Sequence, residues 1–288
     1  MQDIWTVKSL LEWTTGYFVR NNLDNPRLEA ELLLAHVLGT DRVGLYVNYH
    51  QPVNREERCR YRELIKRRVC GEPVAYLTGK KEFFSLDFEV TPEVLIPRSD
   101  TEAMVEKAVA LGRAMGGAIK VADVGTGSGA IAVALAVHLP QARVFAIDIS
   151  PSCAEVAARN AARHQVRERI EFLIGDLLVP IESSGVTLDM VVANLPYVPT
   201  SEWENLASEV KDFEPRSALD GGEDGLACYR RLMPQARSCL REGGYILVEI
   251  AWNQGRAMKS LMGSYFDVVE IGQDLTGRDR FVVGRKGG

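Results

Sequence analysis

Four short stretches of this chain carry residue types that could do chemistry. The first is Asp123-Val124-Gly125-Thr126-Gly127-Ser128-Gly129-Ala130. Its glycines let the backbone come close to a ligand and aim amide N–H groups at it, as a nucleotide-type cofactor requires. Gly125-x-Gly127-x-x-Ala130 also fits a dinucleotide fingerprint, so the loop by itself leaves the cofactor open. Asp148 stands about 20 residues beyond it, where an acidic side chain can accept from both ribose hydroxyls. An exposed helix cap is the plainer reading of Asp148, since Ser150-Pro151 follows. Gly175-Asp176-Leu177 offers a carboxylate for an adenine amino group and an apolar cover for the ring, although Gly-Asp is also a common turn. The fourth stretch, Asn194-Leu195-Pro196-Tyr197, decides the chemistry. The Asn194 side-chain oxygen and a backbone carbonyl near Leu195-Pro196 can each accept one N–H of a planar NH₂ group, while Tyr197 can stack on its plane. Such a nitrogen is a poor nucleophile because its lone pair is delocalised, so two acceptors both hold it and polarise it. In-line displacement of a methyl from a sulfonium would then need positioning and desolvation more than a strong base.

These stretches need strand ends to hold them. Up to about residue 73 the apolar spacing is helical: Leu10 to Phe18, then Leu28 to Val37 after Asn25-Pro26, then Arg55–Val69 opened by an Asn54/Glu57 capping box. Phe84, Leu86, Phe88 and Val90 then alternate with polar residues, which predicts a β-hairpin in a 74–97 linker. Ser99 and Glu102 read as a second capping box. Beyond them, strands are expected at 119–124, 143–148, 169–174, 188–194, 245–250, 266–271 and 280–283, with helical stretches between most of them. That order predicts an α/β fold with a mostly parallel, doubly wound sheet whose last two strands pair antiparallel.

The 288 residues are 46% hydrophobic and 25% charged, which excludes disordered, collagen-like and disulfide-scaffold classes. The longest apolar stretch, Ala130 to Val137, is far short of the roughly 20 residues that span a bilayer. The first residues lack a secretory pattern, so a cytoplasmic location without membrane attachment is expected. Five scattered cysteines and four histidines offer no metal-ligand spacing, and no metal is expected. Residues 1–73 hold 11 basic and 10 acidic groups, leaving 23 basic against 29 acidic for the remainder. An acidic working part disfavours stable nucleic-acid binding. The helix Arg55–Val69, with seven basic and three acidic side chains, reads as a solvated face or a contact for an acidic partner or RNA.

Asp123–Gly129, Asp148, Asp176 and Asn194–Tyr197 together resemble the class I S-adenosylmethionine methyltransferases that act on planar NH₂ groups. Several further segments are similar to one branch, the release factor glutamine methyltransferases: Gly71–Gly79, Glu82–Leu86, Val94–Glu102, Glu214-Pro215, Gly221–Leu226 and Tyr229-Arg230. This resemblance covers nearly the whole chain. It implies a Rossmann-like catalytic domain at 98–288, a small N-terminal helical domain at 1–73 that recognises the protein substrate, and a hairpin linker at 74–97. The implied reaction moves a methyl from S-adenosyl-L-methionine, leaving S-adenosyl-L-homocysteine, to the side-chain nitrogen (N5) of the glutamine in the Gly-Gly-Gln loop of peptide chain release factors, modulating translation termination. Gly125, Thr126, Gly127, Ser128 and Gly129 would hold the methionine part and Asp148 the ribose. Asp176 and Leu177 would take the adenine side, and Asn194, Leu195, Pro196 and Tyr197 the glutamine, with Asn194 also beside the cofactor and Asn194, Pro196 and Tyr197 catalytic. A monomer is expected.

The family usually has two prolines after the asparagine; Leu195 here restores an N–H and loosens the loop. Asn-Leu-Pro-Tyr is also similar to the motif of ribosomal RNA adenine dimethyltransferases, which leaves adenine N6 in ribosomal RNA as the alternative target. A DNA adenine methyltransferase lacks a further region for base recognition here. An S-adenosylmethionine sensor would not need an intact Asn194–Tyr197 motif, and an NAD-dependent oxidoreductase would bind NAD in its place.

Overall fold

The computed structural model describes residues 5–274 and 276–288. It divides into two compact units, one of residues 5–80 with 207–213 and the other of 81–206 with 214–288. The first unit is helical. Helices Val7–Arg20, Pro26–Leu38, Arg42–Val47 and Arg55–Val69 bury Leu11, Phe18, Leu33, Leu34, Leu45 and Tyr61 against one another. The expected Asn54/Glu57 capping box is present, each side chain taking the other residue's backbone N–H. Pro26 opens the second helix and Gly39 closes it at φ 65°. The basic helix spends part of its charge internally: Arg68 is buried and pairs with Glu29 at 2.7 Å and with Glu209 at 3.0 Å. Glu209 lies in the short helix Ser208–Lys211, a segment far along the chain that returns to this unit. Val74–Thr78, expected within the hairpin linker, is a short helix in the same unit.

The second unit begins with the predicted hairpin, β1 (Lys80–Phe83) and β2 (Leu86–Glu89). Phe84 and Ser85 form its two-residue turn at φ 52° and 60°, a conformation that costs energy for residues with side chains. The Glu102 carboxylate accepts the Phe84 N–H at 2.9 Å and holds that turn. Ser99 and Glu102 therefore do not make the expected capping box: Ser99 already has helical backbone angles and its carbonyl, not its hydroxyl, takes the Glu102 N–H at 3.1 Å, while the Glu102 carboxylate is engaged by the hairpin.

Seven strands follow: β3 (Lys120–Val124), β4 (Arg143–Asp148), β5 (Ile170–Ile174), β6 (Leu188–Ala193), β7 (Leu240–Glu249), β8 (Val268–Gln273) and β9 (Asp279–Arg285). Their order across the sheet is β5-β4-β3-β6-β7-β9-β8, parallel from β5 through β7. β9 runs antiparallel between β7 and β8, so the last two strands pair as expected. Alternate side chains face opposite sides of the sheet. Val121, Val144, Met190, Val192 and Leu247 meet helices Asp100–Met115 and Ala130–His138 on one side. Ala122, Phe145, Ile147, Val191 and Val248 meet helices Ala227–Cys239 and Gly255–Met262 on the other. The fold is thus a doubly wound α/β sheet. Among the described residues no helix is long and apolar enough to cross a membrane.

One buried amide ties the hairpin to the glycine loop. Asn160, on helix Pro151–Arg163, accepts the Glu89 N–H at 2.7 Å and donates at 2.9 Å to the carbonyls of both Glu89 and Ser128. Replacing it strands three backbone groups, each costing about 1–3 kcal/mol when left unpaired. Asn160→Ala is expected to lower stability by about 2–4 kcal/mol, read as a shift of the urea midpoint with unchanged slope.

Candidate active site

β3 leads toward β4 on one side and β6 toward β7 on the other, so the loops after these adjacent strands diverge and leave a crevice at their carboxyl ends. Val124 pairs with Ala193, which sets Gly125 beside Asn194. A cavity of about 360 Å³ opens there. Of the residues singled out from sequence, Gly125, Gly127, Asp148, Asp176, Leu177, Asn194, Leu195 and Pro196 line it. Thr126, Ser128, Gly129 and Tyr197 do not.

The glycine loop divides its work. Gly127, at φ 54°, has open space where a side chain would stand. Gly129, at φ 79°, lies so close to helix Pro151–Arg163 that a Cβ would sit 2.8 Å from the Ala157 Cβ. One glycine gives access and the other gives packing. Thr126 is buried and its hydroxyl donates to Asp123 at 2.7 Å, while the same carboxylate oxygen accepts the Ala132 N–H at 3.0 Å. Asp123 thus staples the loop to the first turn of the following helix. Burial pushes its carboxyl up to about 7, against those two hydrogen bonds.

Asp148 is not the helix cap; Ser150 accepts from the Cys153 N–H instead. The Asp148 carboxylate receives the Gly127 N–H at 2.9 Å on Oδ2 and the Ser150 N–H at 3.0 Å on Oδ1. Each carboxylate oxygen has two lone pairs, so one on each is left for a ligand hydroxyl. Asp176 is paired with Arg231, a residue on the same cavity wall that sequence reasoning did not single out.

The Asn194–Tyr197 loop is held from behind. Asn194 Nδ2 donates to Thr101 Oγ1 at 3.2 Å. The buried Tyr229 hydroxyl accepts the Leu195 N–H at 3.2 Å and donates to the Glu249 carbonyl at 2.6 Å. Its oxygen is also 3.2 Å from the Leu195 carbonyl, but its single proton is engaged by the shorter bond. The Tyr197 hydroxyl donates to the Glu249 carboxylate at 3.2 Å, and the Tyr197 carbonyl accepts from Gln254 at 2.9 Å. Gly225 packs onto that same carbonyl, where any side chain would collide. Glu214 is buried, accepts the Ile96 N–H at 3.1 Å and pairs with Arg98, so it ties together two segments whose neighbours Leu95 and Pro215 line the cavity.

Thr101, Glu214, Tyr229 and Glu249 were therefore not legible as site residues from spacing. The first three stand in the segments that carried the family resemblance; Glu249 lies within the strand expected at 245–250 and carried no signal of its own.

The family model described as PrmC N-terminal domain matches residues 9–79, and that described as methyltransferase domain matches residues 121–213. The chain is 45% identical to the release factor glutamine methyltransferase of Geobacter sulfurreducens over 99% of this chain and 98% of that one. It is 44% identical to the protein of the same name from Moorella thermoacetica over 96% of each. Among solved structures, the 16S rRNA N2 G1207 methyltransferase of T. thermophilus, in complex with AdoMet and guanosine, matches in fold. Its TM-score is 0.53 at 14% identity, over 72% of this chain and 49% of that one.

Asp123 gives a pH test. Its folded value lies above the ordinary one near 4, so the folded state holds a proton that the unfolded state has released between about pH 4 and 7. The stability it contributes is fully present below about pH 4 and is lost as pH rises through about 7. Asp123→Asn is expected to flatten that part of the stability-versus-pH curve relative to the native sequence, as measured by thermal melting across the range.

Proposed function

The chain belongs to the release factor glutamine methyltransferase family, and from that premise we propose that it methylates the side-chain amide nitrogen of the glutamine in the Gly-Gly-Gln loop of a peptide chain release factor. The observation that carries this reading is that Asn194, Leu195 and Pro196 share one cavity with Gly127 and Asp148. A methyltransferase-domain match and the common fold support S-adenosylmethionine as the methyl source.

The residues present fit that cofactor. The open face of Gly127 and the amides of the Gly125–Gly129 loop suit its methionine part, with Thr126, Ser128 and Gly129 shaping the loop from inside. The two unused lone pairs of Asp148 suit the ribose hydroxyls. Leu177, buried at the cavity wall, suits the adenine face, and Asp176 would share its carboxylate between Arg231 and the adenine amino group. When bound, S-adenosylmethionine supplies an electrophilic methyl on a sulfonium sulfur and leaves as S-adenosylhomocysteine.

The chain's own residues prepare the nitrogen. Asn194 Nδ2 is engaged by Thr101, so Oδ1 is the end of the amide left to accept an N–H. The Leu195 carbonyl, whose neighbouring hydroxyl proton is engaged elsewhere, is the second acceptor. Two N–H···O bonds on a planar amide hold its nitrogen at one distance and draw electron density onto it, while the apolar Leu195 and Pro196 exclude water. As the new C–N bond forms, the nitrogen sheds a proton from an N–H already bound to one of these oxygens, and solvent takes it up. Tyr197, outside the cavity wall and anchored by Glu249, is assigned to the incoming glutamine loop. Adenine N6 makes the same demand for two acceptors; full-length similarity to glutamine-modifying relatives favours the amide.

Incubation with S-adenosylmethionine and an intact bacterial-type release factor is expected to place one methyl on the Gly-Gly-Gln glutamine, located by peptide mass spectrometry. Methylated adenine in ribosomal RNA run in parallel, with none on protein, would overturn the reading. Asn194→Ala is expected to lower kcat by at least about 100-fold while changing cofactor affinity only a few-fold.

A further inference from the structure

An asparagine amide is nearly symmetric in shape, but one end accepts and the other donates. The reading of Asn194 given above needs its oxygen toward the substrate, so something must forbid the turned-over amide. The partner at its inner end is the Thr101 hydroxyl, buried in the first turn of helix Asp100–Met115, at 3.2 Å from Nδ2. A hydroxyl has one proton, and where that proton goes decides which end of Asn194 it can receive.

Glu249, at the end of β7, is fully buried. Its Oε1 accepts the Tyr197 hydroxyl at 3.2 Å, whereas Oε2 is buried without a hydrogen-bond partner among the described residues, and the nearby Thr101 hydroxyl favours the charged form of the carboxyl. An ionised carboxylate can only accept. We propose that Thr101 and Glu249 are positioning residues that fix the Asn194 amide: the buried carboxylate draws the Thr101 proton, Thr101 is left only to accept from Nδ2, and Oδ1 is held toward the substrate nitrogen. The inference rests on the role given to Asn194 in the proposed reaction.

The groups facing Glu249 are the Tyr197 and Tyr229 hydroxyls, the Arg280 guanidinium from β9 and the Asp100 carboxylate from the helix that carries Thr101. Arg280 is shared, pairing with Asp100 at 3.0 Å and Asp274 at 3.2 Å. Burial outweighs these neighbours and pushes the Glu249 carboxyl up to about 7. Once protonated, Glu249 can donate to Thr101, the Thr101 proton can turn to Asn194, and the amide turns over. It then offers two N–H donors to a substrate amide that also brings donors.

The test uses the full chain with S-adenosylmethionine and an intact release factor, following kcat and KM from about pH 6 to 8.5, with cofactor Kd by calorimetry and Tm by melting. Thr101→Val is expected to lose about 10–100-fold in kcat with Kd and Tm nearly unchanged. Thr101→Ser, which keeps the hydroxyl, is expected to return to within a few-fold of the native rate, and it carries the test should the valine variant fail to fold. Activity of the native chain is expected to fall on the acid side, and that limb is expected to be missing from Glu249→Gln. A native kcat in Thr101→Val, a serine variant as impaired as the valine one, or an unchanged acid limb in Glu249→Gln would overturn the proposal, provided Asn194→Ala is inactive. An active Asn194→Ala would instead overturn the role given to Asn194, and this inference with it.

Discussion

The parallel pairing of β3 with β6, Val124 beside Ala193, is the constraint on which the site depends. Two strands adjacent in the sheet, with connections that leave in opposite directions, bring a glycine loop and an asparagine loop from distant parts of the chain to the mouth of one crevice. Neither loop would keep its place alone. Gly125 lies so close to Leu195 that a Cβ would stand 3.0 Å from Leu195 Cδ2, so the two loops pack on each other as well as on the sheet. The apolar layers on both faces, Val192 on one side and Val191 on the other, make a slip of this register costly, because a one-residue shift would send each side chain to the wrong face.

Three buried carboxylates convert that frame into precise loop positions. Asp123 holds the glycine loop to its helix, Glu214 gathers the backbone at Ile96 and the Arg98 side chain, and Glu249 collects the hydroxyl of Tyr197 beside Thr101. Burying a carboxylate is expensive unless hydrogen bonds return the lost hydration. Two of the three are raised to about 7 by burial, so their hydrogen bonds only partly offset it. These groups are therefore poor candidates for net stabilisers. Their common feature is that each stands behind a segment at the cavity, which points to positioning as the return for the cost.

Much of this was legible in the residues, and the limits are physical. Strand periodicity and alternation gave the doubly wound sheet, and the short gap between the last two strands gave their antiparallel pairing, because both rest on local pattern. The start of β7 was missed: its first residues, Leu240 to Gly244, lack the apolar run that marks Tyr245–Ile250. Glu102 was misread because a capping box and a tertiary contact to Phe84 require the same residue type. The Gly127, Asp148 and Asn194 positions were visible because their spacing fits strand ends. Thr101, Tyr229 and Glu249 were not, since each acts through a partner between 20 and 93 residues away, and no period connects them. The return of residues 207–213 to the helical unit has the same character: Glu209 reaches Arg68, a pairing that neither helix pattern contains.

Leu195 shows how a departure from a family pattern can be absorbed. Proline at that position would fix φ and bring no donor. Leucine brings an N–H into a buried place, where leaving it unpaired would cost about 1–3 kcal/mol. The Tyr229 hydroxyl receives it, because that oxygen has already given its proton to the Glu249 carbonyl and has lone pairs free. The rigidity that a ring would have supplied covalently is thus supplied by a hydrogen bond to helix Ala227–Cys239, and the same arrangement keeps the Tyr229 proton away from the Leu195 carbonyl. Loop stiffness and the freedom of the Leu195 carbonyl to accept a hydrogen bond therefore depend on one tyrosine, which does not line the cavity.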